Sequence, residues 1–238
     1  DEKPQDMDRQ RDLSLVLEKL GTVLSLSGDL AGAEEKFRAG HALAADLLTR
    51  DPGNTLWQRD LSVSHLRIGE VLYQKGDLAG AEAAIRAAIA LRVRLSEQDP
   101  ANREWQRDVS SAQNRLGDVL LAGGDVGGGE EAHRKALAIS ESLAVLDPEN
   151  AEWQRDLGIS RERVGDALQA RGDFAGAEAA YRSAMEISAA LAARDPGNTE
   201  WQVDYALSHA KLAFVLADPR PELEAALTIL QQLQTDGR

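Results

Sequence analysis

Hydrophobic residues recur along this chain with the three- and four-residue spacing of a helix, in pairs of segments separated by a glycine. In the second such pair, the apolar face of the first segment consists of Trp57, Leu61, Ile68 and Leu72. Gly76 ends this segment, and a second segment with alanine, isoleucine and leucine on one face covers 78–98. Asn54 and Asp77 stand where the two helices need side-chain caps. Because a short turn brings two helices together antiparallel, the pattern predicts a helical hairpin.

The hairpin pattern repeats every 48 residues without drift, and its clearest markers are Trp57, Trp105, Trp153 and Trp201. A fixed period of this size indicates a stacked array in which each unit contacts its neighbours. We therefore predict an all-α fold, a right-handed α-solenoid of antiparallel helical hairpins with about ten helices. The predicted array is a single domain over 1–238. Its predicted units are 5–52, 53–100, 101–148 and 149–196, followed by a short C-terminal capping hairpin at 197–238.

The two ends depart from the repeat. Arg9 occupies the tryptophan position of the first unit, and the chain starts at Asp1 without a methionine or a signal-like apolar segment. We interpret the sequence as a segment of a longer protein. In the closing hairpin, one side of the last helix carries Leu223, Leu227 and Leu230. This side predicts a cap that packs through its leucines and turns a polar back to solvent.

Composition narrows the possible partners. Lysine and arginine number 27 against 40 aspartates and glutamates, which gives a formal net charge of −13. An acidic chain repels phosphate backbones, so we expect no nucleic acid partner. The absence of cysteine excludes disulfides and thiolate metal sites. No apolar run approaches the roughly 20 residues that span a bilayer, so we expect no membrane partner and a cytoplasmic location.

A further set of positions recurs in each unit, and in the second unit it reads Ile68-Gly69, Leu72, Gly76-Asp77-Leu78, Ala81, Ile85, Ala88 and Pro100. This set resembles the signature of the tetratricopeptide repeat (TPR) family, with both helices lengthened by about two turns beyond the common period of about 34 residues. The resemblance is to an extended type that occurs in large bacterial proteins beside signalling or effector domains. It implies a scaffold that binds proteins or peptides. The signature's own tryptophan site holds other residues here, so no ligand specificity is carried over.

A basic residue recurs in the first helix of each hairpin. These positions, called the basic ladder below, are Lys19, Arg67, Arg115, Arg163 and Lys211. In TPR arrays the first helix lines the concave groove, so the resemblance implies that the ladder faces a bound partner. Asn114, beside Arg115, adds a donor and an acceptor for a peptide backbone.

Acidic residues follow the ladder three positions later in the central units, at Glu70, Asp118 and Asp166. A second interpretation is therefore open, in which the ladder forms ion pairs within each helix, worth about 0.2–0.5 kcal/mol each. At the same spacing Lys19 meets Thr22 and Lys211 meets Phe214. These two terminal cations are predicted to be unpaired.

No other group of residues predicts a reaction or a cofactor. The histidines His41, His65, His133 and His209 fall at different phases of the repeat, so we expect isolated packing or surface roles rather than a metal or catalytic cluster. The glycine-rich stretch 123–129 lacks the lysine and the preceding strand of a phosphate-binding loop, and we interpret it as a variant hairpin turn. The tryptophans share a helical face with Leu61 and Ile68, which predicts core packing between hairpins.

The sequence therefore predicts a non-enzymatic protein- or peptide-binding scaffold without cofactors, serving as the sensor or assembly region of a larger bacterial protein. Two alternatives stay open. One is a homo-oligomerisation element without a foreign ligand, and the other is a fragment of an enzyme whose catalytic domain lies elsewhere. The sequence does not identify the partner.

Overall fold

The computed structural model describes residues 4–235 and 237, and the side chains from residue 6 onward. Residues 1–3, 236 and 238, which the predicted array 1–238 includes, lie outside the described residues. The described residues form ten helices and no strand: α1 (Pro4–Leu26), α2 (Leu30–Arg50), α3 (Thr55–Gln74), α4 (Leu78–Gln98), α5 (Arg103–Ala122), α6 (Val126–Leu146), α7 (Ala151–Ala170), α8 (Phe174–Arg194), α9 (Thr199–Ala213) and α10 (Arg220–Thr235). The predicted all-α fold is confirmed.

Capping residues define the helix ends as predicted. Asn54 begins α3 by accepting a hydrogen bond from the backbone N–H of Trp57 at 3.2 Å, and the same asparagine cap starts α5, α7 and α9. Asp77 begins α4 by accepting from the N–H of Gly80 at 2.9 Å. The turn before it requires Gly76, whose φ of 81° is unfavourable for residues with a side chain. Each cap satisfies backbone donors that a helix N-terminus leaves without partners.

The two helices of a hairpin cross closely at a glycine that recurs every 48 residues. A Cβ atom on Gly69 would lie 2.6 Å from Ile85 Cγ1, and one on Gly165 would lie 2.6 Å from Tyr181 Cε1. The glycine therefore provides the space that the large side chain of the second helix occupies. This contact explains why the glycine and the large residue recur together with the same period.

The chain divides into two compact units, unit 1 up to Gly123 and unit 2 from Gly124. In unit 1, α2 contacts α3 and α4 contacts α5, and one core cluster contains Ala33, Phe37 and Val71. In unit 2, α6 contacts α7 and α8 contacts α9, and the core cluster includes Tyr181 and Leu212. A second helix thus packs on the first helix of the following hairpin in both units. The organisation of 1–238 as a single array stays a prediction.

Two packing predictions need correction. Only Trp57 is buried, whereas Trp105, Trp153 and Trp201 are half-buried. The tryptophans are therefore partly core and partly surface. In the capping hairpin, the leucine side of α10 is exposed, and Ala226 and Leu233 are the buried residues instead.

Candidate functional site

In unit 1, the basic ladder belongs to a row of alternating charges on the first helices. Arg67 Nη1 lies 3.0 Å from Glu70 Oε2, one turn along α3, which confirms the predicted pair. Arg67 Nε lies 3.6 Å from Glu18 Oε1 on α1, and Arg115 Nε on α5 lies 3.3 Å from Glu70 Oε1. The contacts from one hairpin to the next were not predicted from the i,i+3 spacing. Asn114 and Asp118 lie half-buried on α5, on either side of Arg115 in the sequence.

Burial and the neighbouring opposite charges shift the pKa values of Arg67 and Glu18 in opposite directions. Burial lowers the pKa of Arg67, but the carboxylates of Glu70 and Glu18 outweigh burial, and the pKa is raised overall. Burial raises the pKa of Glu18, an effect that the charge of Arg67 opposes. Arg67 therefore stays charged, and the side chains of Arg67 and Arg115 keep 39% and 51% exposure. An incoming carboxylate can reach both.

In unit 2, Asp166 is the carboxylate that the basic ladder residues Arg163 and Lys211 contact. Arg163 Nη1 lies 3.5 Å from Asp166 Oδ2, and Lys211 Nζ lies 2.5 Å from each carboxylate oxygen. The hydroxyl of Tyr181 donates to Asp166 Oδ1 at 2.8 Å, and Lys211 Nζ lies 5.8 Å from the centre of the Tyr181 ring. Burial, together with the charge of Asp166, raises the pKa of Tyr181. Asp166 thus joins α7, α8 and α9.

The prediction that both terminal cations are unpaired is wrong for Lys211. Its partner Asp166 belongs to the preceding hairpin and lies 45 residues away in sequence, so the spacing within one helix could not reveal it. Lys19 is exposed, and the described residues provide no ion pair to it. The first hairpin has no preceding hairpin within the described chain to supply the equivalent carboxylate.

A second set of ion pairs links consecutive hairpins, and the sequence reasoning missed it. In unit 1, Arg11 Nε lies 2.6 Å from Asp60 Oδ2, and Arg59 Nε lies 2.9 Å from Asp108 Oδ2. In unit 2, Arg155 Nε lies 2.5 Å from Asp204 Oδ2. The hydrogen bond to the aspartate raises the pKa of each arginine. The signal was present as an Arg-Asp dipeptide that recurs every 48 residues, and Arg11, Arg59 and Arg155 each pair with the aspartate one period after their own dipeptide.

Two histidines that were predicted to be isolated lie in contact. His41 on α2 and His65 on α3 place their Nε2 atoms 3.3 Å apart, with ring centres at 4.5 Å in an edge-to-face arrangement. His133 is fully buried in unit 2, and His209 is bonded to Glu222 at 2.5 Å. In the described part of the chain, no group of three or more histidine, aspartate or glutamate side chains is arranged to hold a metal ion.

A cavity of about 40 Å³ lies between α7, α8 and α9 in unit 2. Its lining includes Gly158, Ile187 and Trp201, and serine holds the position of Gly158 in the second and third repeats. Cavities that bind small molecules have volumes of about 300–1,000 Å³. This cavity is therefore too small for a metabolite-sized ligand.

The ion-pair rows on the first helices are thus the strongest candidate for a binding surface. No helix among the described residues combines the length and apolar character needed to span a bilayer. No family model matches the chain, and no curated protein matches it significantly.

Solved structures are similar to this chain in fold. RapI in its apo form gives a TM-score of 0.62 at 12% identity, covering 92% of this chain and 68% of RapI. BtubC from P. vanneervenii gives 0.62 at 12% identity, covering 96% and 92% of the two chains. A Podosopora anserina kinesin light chain protein with nearly identical TPR-like repeats gives 0.61 at 17% identity, covering 99% and 96%. These similarities show a TPR-like solenoid fold.

Proposed function

We propose that this chain, whose hairpins have a TPR-like fold, is a scaffold that binds an acidic or polar segment of a partner protein along the basic ladder. The observation that carries the proposal is the row of Glu18, Arg67, Glu70 and Arg115, which crosses three first helices in unit 1 while both arginines stay partly exposed. A partner segment that follows this row meets a cation on each successive hairpin.

The existing ion pairs do not prevent binding. Partly exposed ion pairs contribute about 0–1 kcal/mol each, so a partner carboxylate can replace Glu70 or Glu18 at little cost. Arg67 and Arg115 each present several N–H donors in a planar fork, which suits bidentate contact with a carboxylate. Asn114 precedes Arg115 on the same helix, and its side-chain amide offers a hydrogen-bond donor and an acceptor to the backbone of a partner. Such charge contacts act mainly on association rate and salt dependence.

In this proposal the chain is the sensor or assembly region of a larger bacterial protein, and it carries out no reaction itself. The support is the TPR-like fold of its structural neighbours and the type of side chains that the first helices expose. A specific role beside a signalling or effector domain rests on the sequence resemblance.

The test is a selection of binders from a displayed random peptide library, followed by affinity measurements with fluorescence anisotropy. We expect the selected peptides to be rich in aspartate and glutamate. The double variant Arg67→Gln, Arg115→Gln should bind them about thirtyfold more weakly, since two charge-assisted contacts of about 1 kcal/mol each are removed. Glutamine is preferred to glutamate, because a new carboxylate at position 67 would lie against Glu18 and Glu70.

The matched control is Arg86→Gln with Arg182→Gln, which makes the same change of charge on second helices. Both arginines pair with a glutamate of their own helix, at 2.8 Å and 2.5 Å, and their side chains are 56% and 54% exposed. This variant should bind the peptides as the parent does. Equal weakening in both variants, or selected peptides without acidic enrichment, would contradict the proposal.

A further inference from the structure

The first helix carries an exposed apolar row, called the α1 stripe below. It consists of Leu13, Val16, Leu20, Val23 and Leu26, with exposed fractions of 51%, 59%, 42%, 62% and 85%. The spacing of three and four residues places them along one side of α1. Scattered apolar residues are ordinary on protein surfaces, but a contiguous row of this kind marks an interaction site.

The same positions one period later show what such a row contacts. Leu61, Ser64 and Val71 of α3 are buried, at 9%, 7% and 1% exposure, while Ile68 is half-buried and Gln74, at the end of the helix, is exposed. Val71 packs in a cluster with Ala33 and Phe37 of the preceding second helix. The α1 stripe is therefore the surface on which the second helix of another hairpin packs, with that helix missing among the described residues.

The last helix carries the complementary feature. In three inner second helices, a buried alanine is followed four residues later by a large buried residue: Phe37 after Ala33, Ile85 after Ala81, and Tyr181 after Ala177. In α10 the buried Ala226 is followed by Leu230, which is 43% exposed. Leu223 and Leu227 extend this exposed side, here called the α10 row. At Leu230, no following hairpin lies among the described residues to cover the side chain that packs against the next hairpin in α2 and α8.

We propose that the partner of the α1 stripe is a second copy of this chain, which packs its α10 row on the stripe. The contact repeats the interface between consecutive hairpins, with Leu230 in the position of Phe37 and Tyr181. Two different surfaces meet in this contact, so it is heterologous, and further copies can add through the same two surfaces.

The charges predict how this association responds to salt. Val203 and Phe214 stand one period after Arg155 and Asp166, so the last hairpin lacks both residues of the inter-hairpin ion pairs. The contact is therefore apolar, while each copy carries a formal net charge of −13. Because salt screens the repulsion between like-charged copies, association should strengthen as salt is raised.

Sedimentation velocity over a range of protein concentrations tests the proposal with Leu20→Glu and Leu230→Glu. The parent should form dimers and larger species with rising concentration. Each variant alone should stay monomeric, since Leu20→Glu blocks the stripe and Leu230→Glu blocks the α10 row. An equimolar mixture should form a one-to-one complex and nothing larger, because the intact stripe of one variant accepts the intact row of the other.

Leu146→Glu is the control, since Leu146 is 55% exposed on α6 and lies outside both surfaces. It should assemble as the parent does. A parent that stays monomeric throughout would overturn the proposal. So would a Leu230→Glu protein that still dimerises while the mixture gives no complex, because that result would assign the association to two α1 stripes. None of these variants alters the basic ladder, so the result is independent of the peptide-binding proposal.

Discussion

The hydrogen bond between His41 and His65 depends on the protonation state of the two side chains. With Nε2 atoms 3.3 Å apart, one imidazole can donate a hydrogen bond to the other only if at least one nitrogen is unprotonated. Burial lowers the pKa of both groups, and burial together with the charge of His41 lowers the pKa of His65 to about 4. The folded protein therefore holds the pair neutral where the unfolded chain, with a pKa near 6.5, begins to bind protons.

This pair should make stability depend on pH between about 6.5 and 4. The unfolded chain takes up protons in this range and the folded chain does not, so stability is complete above pH 6.5 and falls as the pH approaches 4. His65→Gln should reduce this loss by up to about 1.4 kcal/mol per pH unit for each proton no longer taken up. Urea unfolding of parent and variant at several pH values provides the measurement.

Glutamine is a suitable replacement because Gln113 occupies the same position in the next unit. His133, whose pKa burial lowers to about 4, contributes equally to parent and variant. The difference between the two proteins therefore isolates the His41–His65 contact. A difference in stability that does not change with pH would show that the pair has no such effect.

At the scale of the element, the turns between the two helices of a hairpin are alike except in the third 48-residue repeat. In the second and fourth repeats, the residue before the turn glycine is basic and contacts the second helix of the preceding hairpin. Lys75 bonds Glu34, and Arg171 Nη1 lies 2.8 Å from Glu130 Oε2. Gly123 holds this position in the third unit and provides no such contact. Gly127 and Gly129 then replace the alanines that begin the second helix in the other units.

Gly127→Ala should raise the free energy of unfolding by about 0.5–1 kcal/mol, because alanine loses less backbone entropy in a helix. A Cβ atom at this position would lie no closer than 3.9 Å to Asp125 Oδ1, so it causes no steric conflict. Chemical denaturation gives the free energy, and hydrogen exchange in the first turn of α6 reports where the change occurs.

The control for this prediction lies three residues earlier. Gly124 has a φ of 85°, where a side chain is strained, so Gly124→Ala should destabilise the protein. If both substitutions stabilise, or if the start of α6 is already as protected as the starts of α4 and α8, the third hairpin is not the weakest element.

At the scale of the molecule, a partner is repelled or attracted at long range by the net charge of −13 and at short range by the basic ladder. Salt screens charges beyond about 8–10 Å, so a partner at the surface senses the ladder more than the total. Along unit 1 the cations Arg67 and Arg115 alternate with Glu18 and Glu70 rather than forming a continuous basic surface. This alternation favours a short acidic segment over a long polyanion.

Nucleic acid should therefore not bind at physiological salt. We expect no change in the anisotropy of a labelled DNA or RNA duplex on addition of the protein, since few phosphates could be neutralised together. An acidic peptide from the library selection serves as the positive control. Tight duplex binding that weakens steeply with salt would contradict this expectation.

The sequence by itself determined the hairpins. The helix boundaries follow from Asn54, Asp77 and Gly76, and the 48-residue period identifies the repeats. These features could be predicted because a cap or a turn glycine acts on backbone groups within a few residues of itself. The Arg67–Glu70 pair was predictable for the same reason, since one helical turn brings both side chains together.

Only the tertiary structure decided which surfaces are free and which charges are paired. Lys211 bonds Asp166, Arg11 bonds Asp60 and His41 contacts His65 because the hairpins stack, bringing together side chains 24–49 residues apart. The exposure of Leu230 likewise depends on how α10 rotates against α9. Helical periodicity gives the apolar side of a helix but not its rotation about its axis, which the packing of Ala226 and Leu233 fixes.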